Sequence, residues 1–174
     1  LLAINSIPKS TQYGLSYVDI TTGEFNLCLV QNQSELMSEI DRLTAKEILV
    51  PAGSNLEIPD TILTNTYYPL DPGRAGQELK NHFQIQALSA FGIESLSDSY
   101  PAAWALLDYL KTTQKNQLWQ IIKITPLSKS QTLFMDTVTI KNLELLTPLN
   151  KDEKNASLFW VLDQTKTAMG ARKL

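Results

Sequence analysis

The sequence predicts a mixed α/β domain followed by a purely helical piece, and three observations carry that reading. Short apolar segments bounded by turn residues crowd the first fifty positions, helix-period stripes run through Leu36–Leu43 and Ala103–Leu110, and no strand pattern returns after residue 126. The length of 174 residues suits one domain plus part of another. Apolar residues make up 43% of a chain that also holds seven glycines, a globular rather than a disordered composition.

Leu1–Ile7 is apolar at most positions and closes on Pro8-Lys9-Ser10, which reads as a strand and a turn. Tyr13–Ile20 is a second strand. Thr21-Thr22-Gly23-Glu24 turns it into a third, Phe25–Val30, where Phe25, Leu27 and Leu29 alternate with Asn26 and Cys28, and Gly23 can supply a positive-φ position. Ser34 can cap a helix whose Leu36, Met37, Ile40 and Leu43 form one stripe wide enough to cover a sheet. Ile48-Leu49-Val50, held between Lys46-Glu47 and Pro51, fits a strand buried on both faces.

The order βββαβ, with the fourth strand returning parallel to the first by a right-handed crossover, matches the start of a ribonuclease H-like layout, although other α/β topologies share it. Asn55–Pro72 holds three prolines and reads as a connection with a short strand around Thr61–Tyr68. Gly76–Phe83 is a short polar helix, and Phe91-Gly92-Ile93 a turn. Pro101 belongs in the first turn of a helix capped by Ser97, Asp98 or Ser99, with Ala103, Leu106, Leu107 and Leu110 on its buried stripe. Polar stretches at 112–117 and 126–131 place a domain boundary near residue 126, giving domains 1–126 and 127–174.

Fifteen Lys and Arg against eighteen Asp and Glu leave a net charge of −3, so no global basic field draws the chain onto phosphate backbones. Apolar runs are too short for a membrane helix. Cys28 and His82 are each the only one of their kind, which excludes an intrachain disulfide and a Cys/His zinc site and suits a reducing, cytoplasmic setting. Trp104, Trp119 and Trp160 sit among apolar neighbours and read as core. Leu1-Leu2-Ala3-Ile4 lacks an initiator Met and a signal layout, and a helical pattern from Thr167 stops after about two turns, so the sequence reads as a piece of something longer.

Two stretches carry more than pattern. Met135-Asp136-Thr137-Val138-Thr139-Ile140-Lys141-Asn142-Leu143-Glu144-Leu145 is followed by Ser157-Leu158-Phe159-Trp160-Val161-Leu162-Asp163-Gln164-Thr165-Lys166-Thr167-Ala168-Met169-Gly170-Ala171-Arg172. Together they resemble the start of the core, or lever, domain of the MutS family of DNA mismatch-repair proteins, with Lys141 where that family usually has Arg. Gly14-Leu15-Ser16-Tyr17-Val18-Asp19-Ile20-Thr21-Thr22-Gly23-Glu24-Phe25 resembles the same family's connector domain, which has a ribonuclease H-like fold. The resemblance implies a non-catalytic segment that links mismatch recognition to an ATPase and offers a docking surface to MutL. It implies a parent protein that is homo-oligomeric, holds mismatched DNA and uses ATP and Mg. No Gly-x-x-x-x-Gly-Lys-[Ser/Thr] loop and no Phe-x-Glu wedge occurs in these 174 residues, so no cofactor is expected here.

Within the resembling motifs the residue chemistry points to junctions. Asp136 is placed to cap a helix whose first turns run from Thr139 through Asn142 and Glu144 to Leu145; Asp163, Thr165 and Met169 shape the next connection; Thr167 caps the last helix; Gly170 lets another helix approach. Arg172 could reach a carboxylate across a domain interface. Asp19 has two readings: it bonds backbone groups of the turn that ends in Gly23, or it belongs to a ribonuclease H-like nuclease or resolvase site holding divalent metal, which needs several clustered carboxylates. Gln77, Lys80, Asn81 and Gln84 fall at i, i+3, i+4 and i+7, a polar stripe that suits conditional docking of MutL.

Overall fold

The computed structural model describes residues 1–113, 120–127, 135, 137–150 and 155–173, and the chain divides into two units, Leu1–Ser128 and Lys129–Leu174. The first is built on a six-stranded sheet in the order β5-β4-β1-β2-β3-β6. Its strands are β1 (Leu2–Ser6), β2 (Tyr13–Asp19), β3 (Glu24–Val30), β4 (Glu47–Pro51), β5 (Leu63–Tyr67) and β6 (Thr125–Pro126). Two antiparallel pairings, with Ile4 opposite Leu15 and Leu15 opposite Cys28, make β1–β2–β3 a meander. Strand β4 then lies parallel to β1, β5 parallel to β4, and β6 parallel to β3.

Side-chain alternation splits the core into two layers. On one face Leu2, Ile4, Leu15, Cys28, Val30, Ile48 and Val50 pack with Leu36 and Ile40 of helix α1 (Gln33–Leu43). On the other, Ala3, Val18, Phe25, Leu27 and Leu49 pack with α2 (Pro72–Phe83) and α3 (Tyr100–Thr113). The alternation read from β3 is thus buried on both sides: Asn26 and Cys28 are as covered as Phe25 and Leu27, and Leu29 is the partly exposed one. A three-layer arrangement buries what a two-layer one would leave in water.

Helix ends differ from the expected ones for definite reasons. The N-cap of α1 is Asn32, not Ser34: its side chain accepts the Glu35 N–H at 2.9 Å, while the Glu35 carboxylate accepts the Gln31 N–H. Helix α2 begins at Pro72 rather than Gly76, because Asp71 accepts the Arg74 N–H at 3.1 Å and proline suits the first helical position. Its buried side is Ala75, Gly76 and Leu79, and a Cβ on Gly76 would stand 3.1 Å from the Tyr100 ring of α3. None of Ser97, Asp98 or Ser99 caps α3. A 3-10 segment, Glu94–Ser99, runs straight into it, and Tyr100 has helical angles.

Asp98 and Ser99 instead fasten α3 to the sheet. The Ser99 hydroxyl donates to the Cys28 carbonyl at 2.7 Å, and the Asn5 amide donates to the Asp98 carbonyl at 2.9 Å. Gly14 of β2 faces this segment so closely that a Cβ there would lie 2.6 Å from Ser99 Cα and 2.7 Å from Asp98 O.

In the second unit, α4 (Thr137–Asn142), α5 (Leu158–Leu162) and α6 (Ala168–Lys173) are short. The first does not continue to Leu145. Glu144 takes φ 50°, and the Leu145 N–H turns back to the Ile140 carbonyl at 3.2 Å, a left-handed helix stop. Ser157 caps α5 through the Trp160 N–H. Trp104 is partly buried and packs against the core, as its apolar neighbours suggest, whereas Trp160 is half exposed, against the core reading; Trp119 lies outside the described residues.

The Gly14 contact predicts that Gly14→Ala forces two backbone segments apart. The cost should reach the upper part of the roughly 1–3 kcal/mol typical of overpacking, read as a lowered urea midpoint with an unchanged slope.

Candidate functional site

Asp19 ends β2, and its Oδ1 accepts both the Thr21 N–H at 2.8 Å and the Thr21 hydroxyl at 2.6 Å. The Asp19 carbonyl accepts the Gly23 N–H at 2.9 Å, and Gly23 takes φ +73°. The carboxylate therefore shapes a turn. Glu47 pairs with Asn65 and Tyr109, and Asp71 caps α2. Among the described residues no group of three His, Cys, Asp or Glu could hold a metal ion, so the clustered carboxylates that a two-metal nuclease site requires are not assembled there.

The second unit repeats the Asp19 device. Asp163 Oδ1 accepts the Thr165 N–H at 2.9 Å and the Thr165 hydroxyl at 2.6 Å, and these two bonds hold the carboxyl below the usual carboxylate range. Thr167 Oγ1 accepts the Gly170 N–H at 3.1 Å, at the start of α6. The atoms nearest a Cβ on Gly170 are those of Thr165 and Thr167, at 3.2 to 3.5 Å, so the glycine packs tightly against its own turn. Thr139 and Asn142 lie on α4 with exposed side chains, and the Glu144 carboxylate accepts the Leu149 N–H at 2.7 Å. Asp136 and the side chains of Met169 and Arg172 lie outside the described residues.

The polar stripe on α2 is shorter than its spacing suggested. Gln77 and Asn81 are exposed and joined, the Gln77 amide donating to Asn81 Oδ1 at 3.1 Å. Lys80 is half buried, and Gln84 takes φ 54° as the C-cap, which removes it from the helical phase. His82 is half buried edge-on to Phe83, and burial, reinforced by the nearby Lys111 charge, lowers its pKa.

Spacing gave no hint of a cleft of about 600 Å³ between β5 and α3, lined by residues that include Asn65, Tyr67, Tyr68, Trp104, Asp108 and Tyr109. At its polar end the Tyr109 hydroxyl and the Asn65 amide both donate to Glu47 Oε1. Hydrogen bonding to that carboxylate, with burial adding to it, raises the Tyr109 pKa above the ordinary tyrosine value. Tyr67 reaches under the sheet to donate to the Ile4 carbonyl at 2.8 Å, and burial raises its pKa further. The signal that could have found the cleft is aromatic density, Tyr67-Tyr68 facing Trp104 and Tyr109, which single-element periodicity cannot join.

Residues 1–122 match the family described as MutS domain II, and residues 138–174 match MutS domain III. The chain belongs to the MutS family. The DNA mismatch repair protein MutS of Dehalococcoides mccartyi (strain CBDB1) is 39% identical over 165 residues, which cover 92% of this chain and 19% of that protein. For Lachnoclostridium phytofermentans MutS the figures are 38% over 173 residues, covering 92% and 18%. Methanosarcina barkeri MutS is 33% identical over 174 residues, covering 94% and 19%. The chain thus spans about a fifth of the length of the curated MutS relatives it matches. The MutS domain II match falls inside the first unit and the domain III match inside the second.

In this MutS-family chain, Glu47→Gln removes the carboxylate that favours the neutral phenol of Tyr109. The Tyr109 pKa should then fall back toward the ordinary value of about 10, followed by NMR of the labelled ring carbon against pH, with the other tyrosines unmoved.

Proposed function

We propose that this chain is the non-catalytic connector segment of a MutS-like mismatch-repair protein, with the start of the core domain attached. The observation that carries the reading is the continuity of the two matches, MutS domain II running into MutS domain III within one short chain. The strand order β5-β4-β1-β2-β3, with the first three antiparallel and the next two parallel to β1, supports a ribonuclease H-like assignment for the first domain, residues 1–126. Residues 127–174 open the core, and exposed apolar side chains there, among them Val138, Leu146, Trp160 and Val161, suit a piece that packs against further chain of the parent.

In this reading the segment transmits. It joins mismatch recognition to the ATPase of the parent, where ATP and Mg would act on residues other than these, since no phosphate loop occurs in the sequence. Mismatched DNA is held by the parent, which works as a homo-oligomer in the cytoplasm. No helix among the described residues is long and apolar enough to cross a membrane. Asp19, Gly23, Asp163, Thr165 and Thr167 act as junction residues, and Arg172 is assigned an interdomain role.

MutL docking is assigned to the exposed face of α2 through Gln77 and Asn81. A polar patch on a rigid helix suits an encounter that must be conditional, because a large apolar surface would hold its partner permanently. The test is capture of cognate MutL by the parent protein with ATP. Gln77→Ala with Asn81→Ala should weaken capture severalfold and leave the melting temperature within about two degrees, as expected of surface changes near 0.5 kcal/mol. Capture equal to wild type would move the docking surface elsewhere, with α1 next to be tested.

A further inference from the structure

Natural sheet edges are guarded by charge, proline, a bulge or a cover, since an open edge recruits other strands. Strand β5 is the outer strand of the sheet among the described residues, and Leu63-Thr64-Asn65-Thr66-Tyr67 contains neither charge nor proline. Leu63 at its start is 62% exposed, and Tyr68 just past its end is 89% exposed. The Ala52 N–H donates to the Tyr67 carbonyl at 2.7 Å, so Tyr67, and by strand alternation Asn65 and Leu63, turn their backbone groups toward β4. The N–H and C=O of Thr64 and Thr66 therefore point outward, spaced as a strand ladder requires.

The cleft lies along this same edge. Its walls mix aromatic and aliphatic side chains with Asn65, Thr66 and Thr112, Asp108 stands exposed on its α3 side, and none of its lining residues is basic. Glu47 lies behind Asn65 and Tyr109 and accepts from both through Oε1, which holds those two lining residues in place. Lys111 Nζ already sits 4.5 Å from the centre of the Trp104 ring, so that indole carries a cation within the chain itself. A strand laid against β5 sends alternate side chains toward the cleft, where a planar guanidinium can meet the Asp108 carboxylate beside Trp104.

We propose that β5 and the adjoining cleft form a docking site for an extended segment of a partner protein, added as an edge strand and anchored by an arginine. This site is separate from the exposed face of α2, so its failure leaves the MutL assignment standing. Phosphate-bearing partners are disfavoured because the charged side chain among the lining residues is Asp108 and none is basic.

The test uses the whole 174-residue chain, isotope-labelled, and two probe peptides. One is a short acetylated and amidated peptide of alternating valine and threonine with a central arginine; the other carries glutamate at the centre. The arginine peptide should shift the amides of Thr64 and Thr66 and the Trp104 indole N–H, and bind roughly tenfold more tightly than the glutamate peptide. Asp108→Lys, an exposed substitution, should cut arginine-peptide affinity by a similar factor with the circular dichroism spectrum unchanged. Shifts confined to other residues, equal affinity for the two peptides, or preferential shifts at these positions with a single-stranded oligothymidylate would each overturn the proposal.

Discussion

Everything in the first unit depends on β1 being buried on both faces. Leu2 and Ile4 are fully covered from the α1 side, and Ala3 is fully covered from the α3 side. A strand of that kind is stable only at the centre of a sheet with helices on both surfaces, and the chain supplies them in two ways. Helix α1 is the crossover that carries the chain from β3 to β4, so one layer comes with the topology. The other arrives later, from α2 and α3. Each fully buried Leu or Ile contributes about 1.5–3 kcal/mol, whereas the Arg42–Glu39 pair at 2.7 Å, with its carboxylate buried, must set the cost of desolvation against its attraction and adds little net. Apolar burial therefore decides the architecture, and ion pairing adjusts it.

Apolar burial alone would not fix where α3 sits. Its buried side is dominated by alanine and leucine, which tolerate sliding, and three short-range devices set its position. Ser99 bonds the Cys28 carbonyl from α3's side, Asn5 bonds Asp98 from the sheet, and Gly14 leaves room for both. Because these contacts lie at the N-terminal end of α3, the Tyr109 end is positioned by the rigidity of the helix. Glu47, held between Tyr109 and Asn65, closes that end against β4 and β5. The cleft is the space left between these two attachments.

How much of this was legible varies with the range of the interaction. The β1–β3 meander, α1, β4 and the Ala103–Leu110 stripe follow from patterns within one element, where period and turn residues carry the information. Cap positions were less legible because residues of capping type stand close together: Asn32 and Ser34 are both good acceptors, and it is Asn32 that accepts the Glu35 N–H. Asp71-Pro72 fell within the connection read over Asn55–Pro72, because the same residue types start helices and make loops. Motif spacing located Asp19, Asp163 and Thr167, whose bonds are local, while the Glu47–Asn65–Tyr109 cluster joins residues 18 to 62 positions apart and has no linear trace.

Polar side chains at the described positions mostly hold backbone. Asp19 and Asp163 close two turns of the same Asp-x-Thr form, Asn32, Asp71, Ser157 and Thr167 start helices, and Ser99 and Asn5 pin one layer to another. A carboxylate or hydroxyl fixed in this way is a poor general base, since its lone pairs are already directed at N–H and O–H donors. What remains to meet another molecule is therefore surface of a different kind: a helix face carrying a joined Gln77–Asn81 pair, a sheet edge without charge or proline, and apolar side chains of short helices. Such surfaces bind through shape and backbone, and their affinity changes when neighbouring domains cover or uncover them. Such surfaces suit the proposed connector role, because coupling between distant sites requires contacts that differ between two arrangements and needs no chemistry within the coupling segment itself.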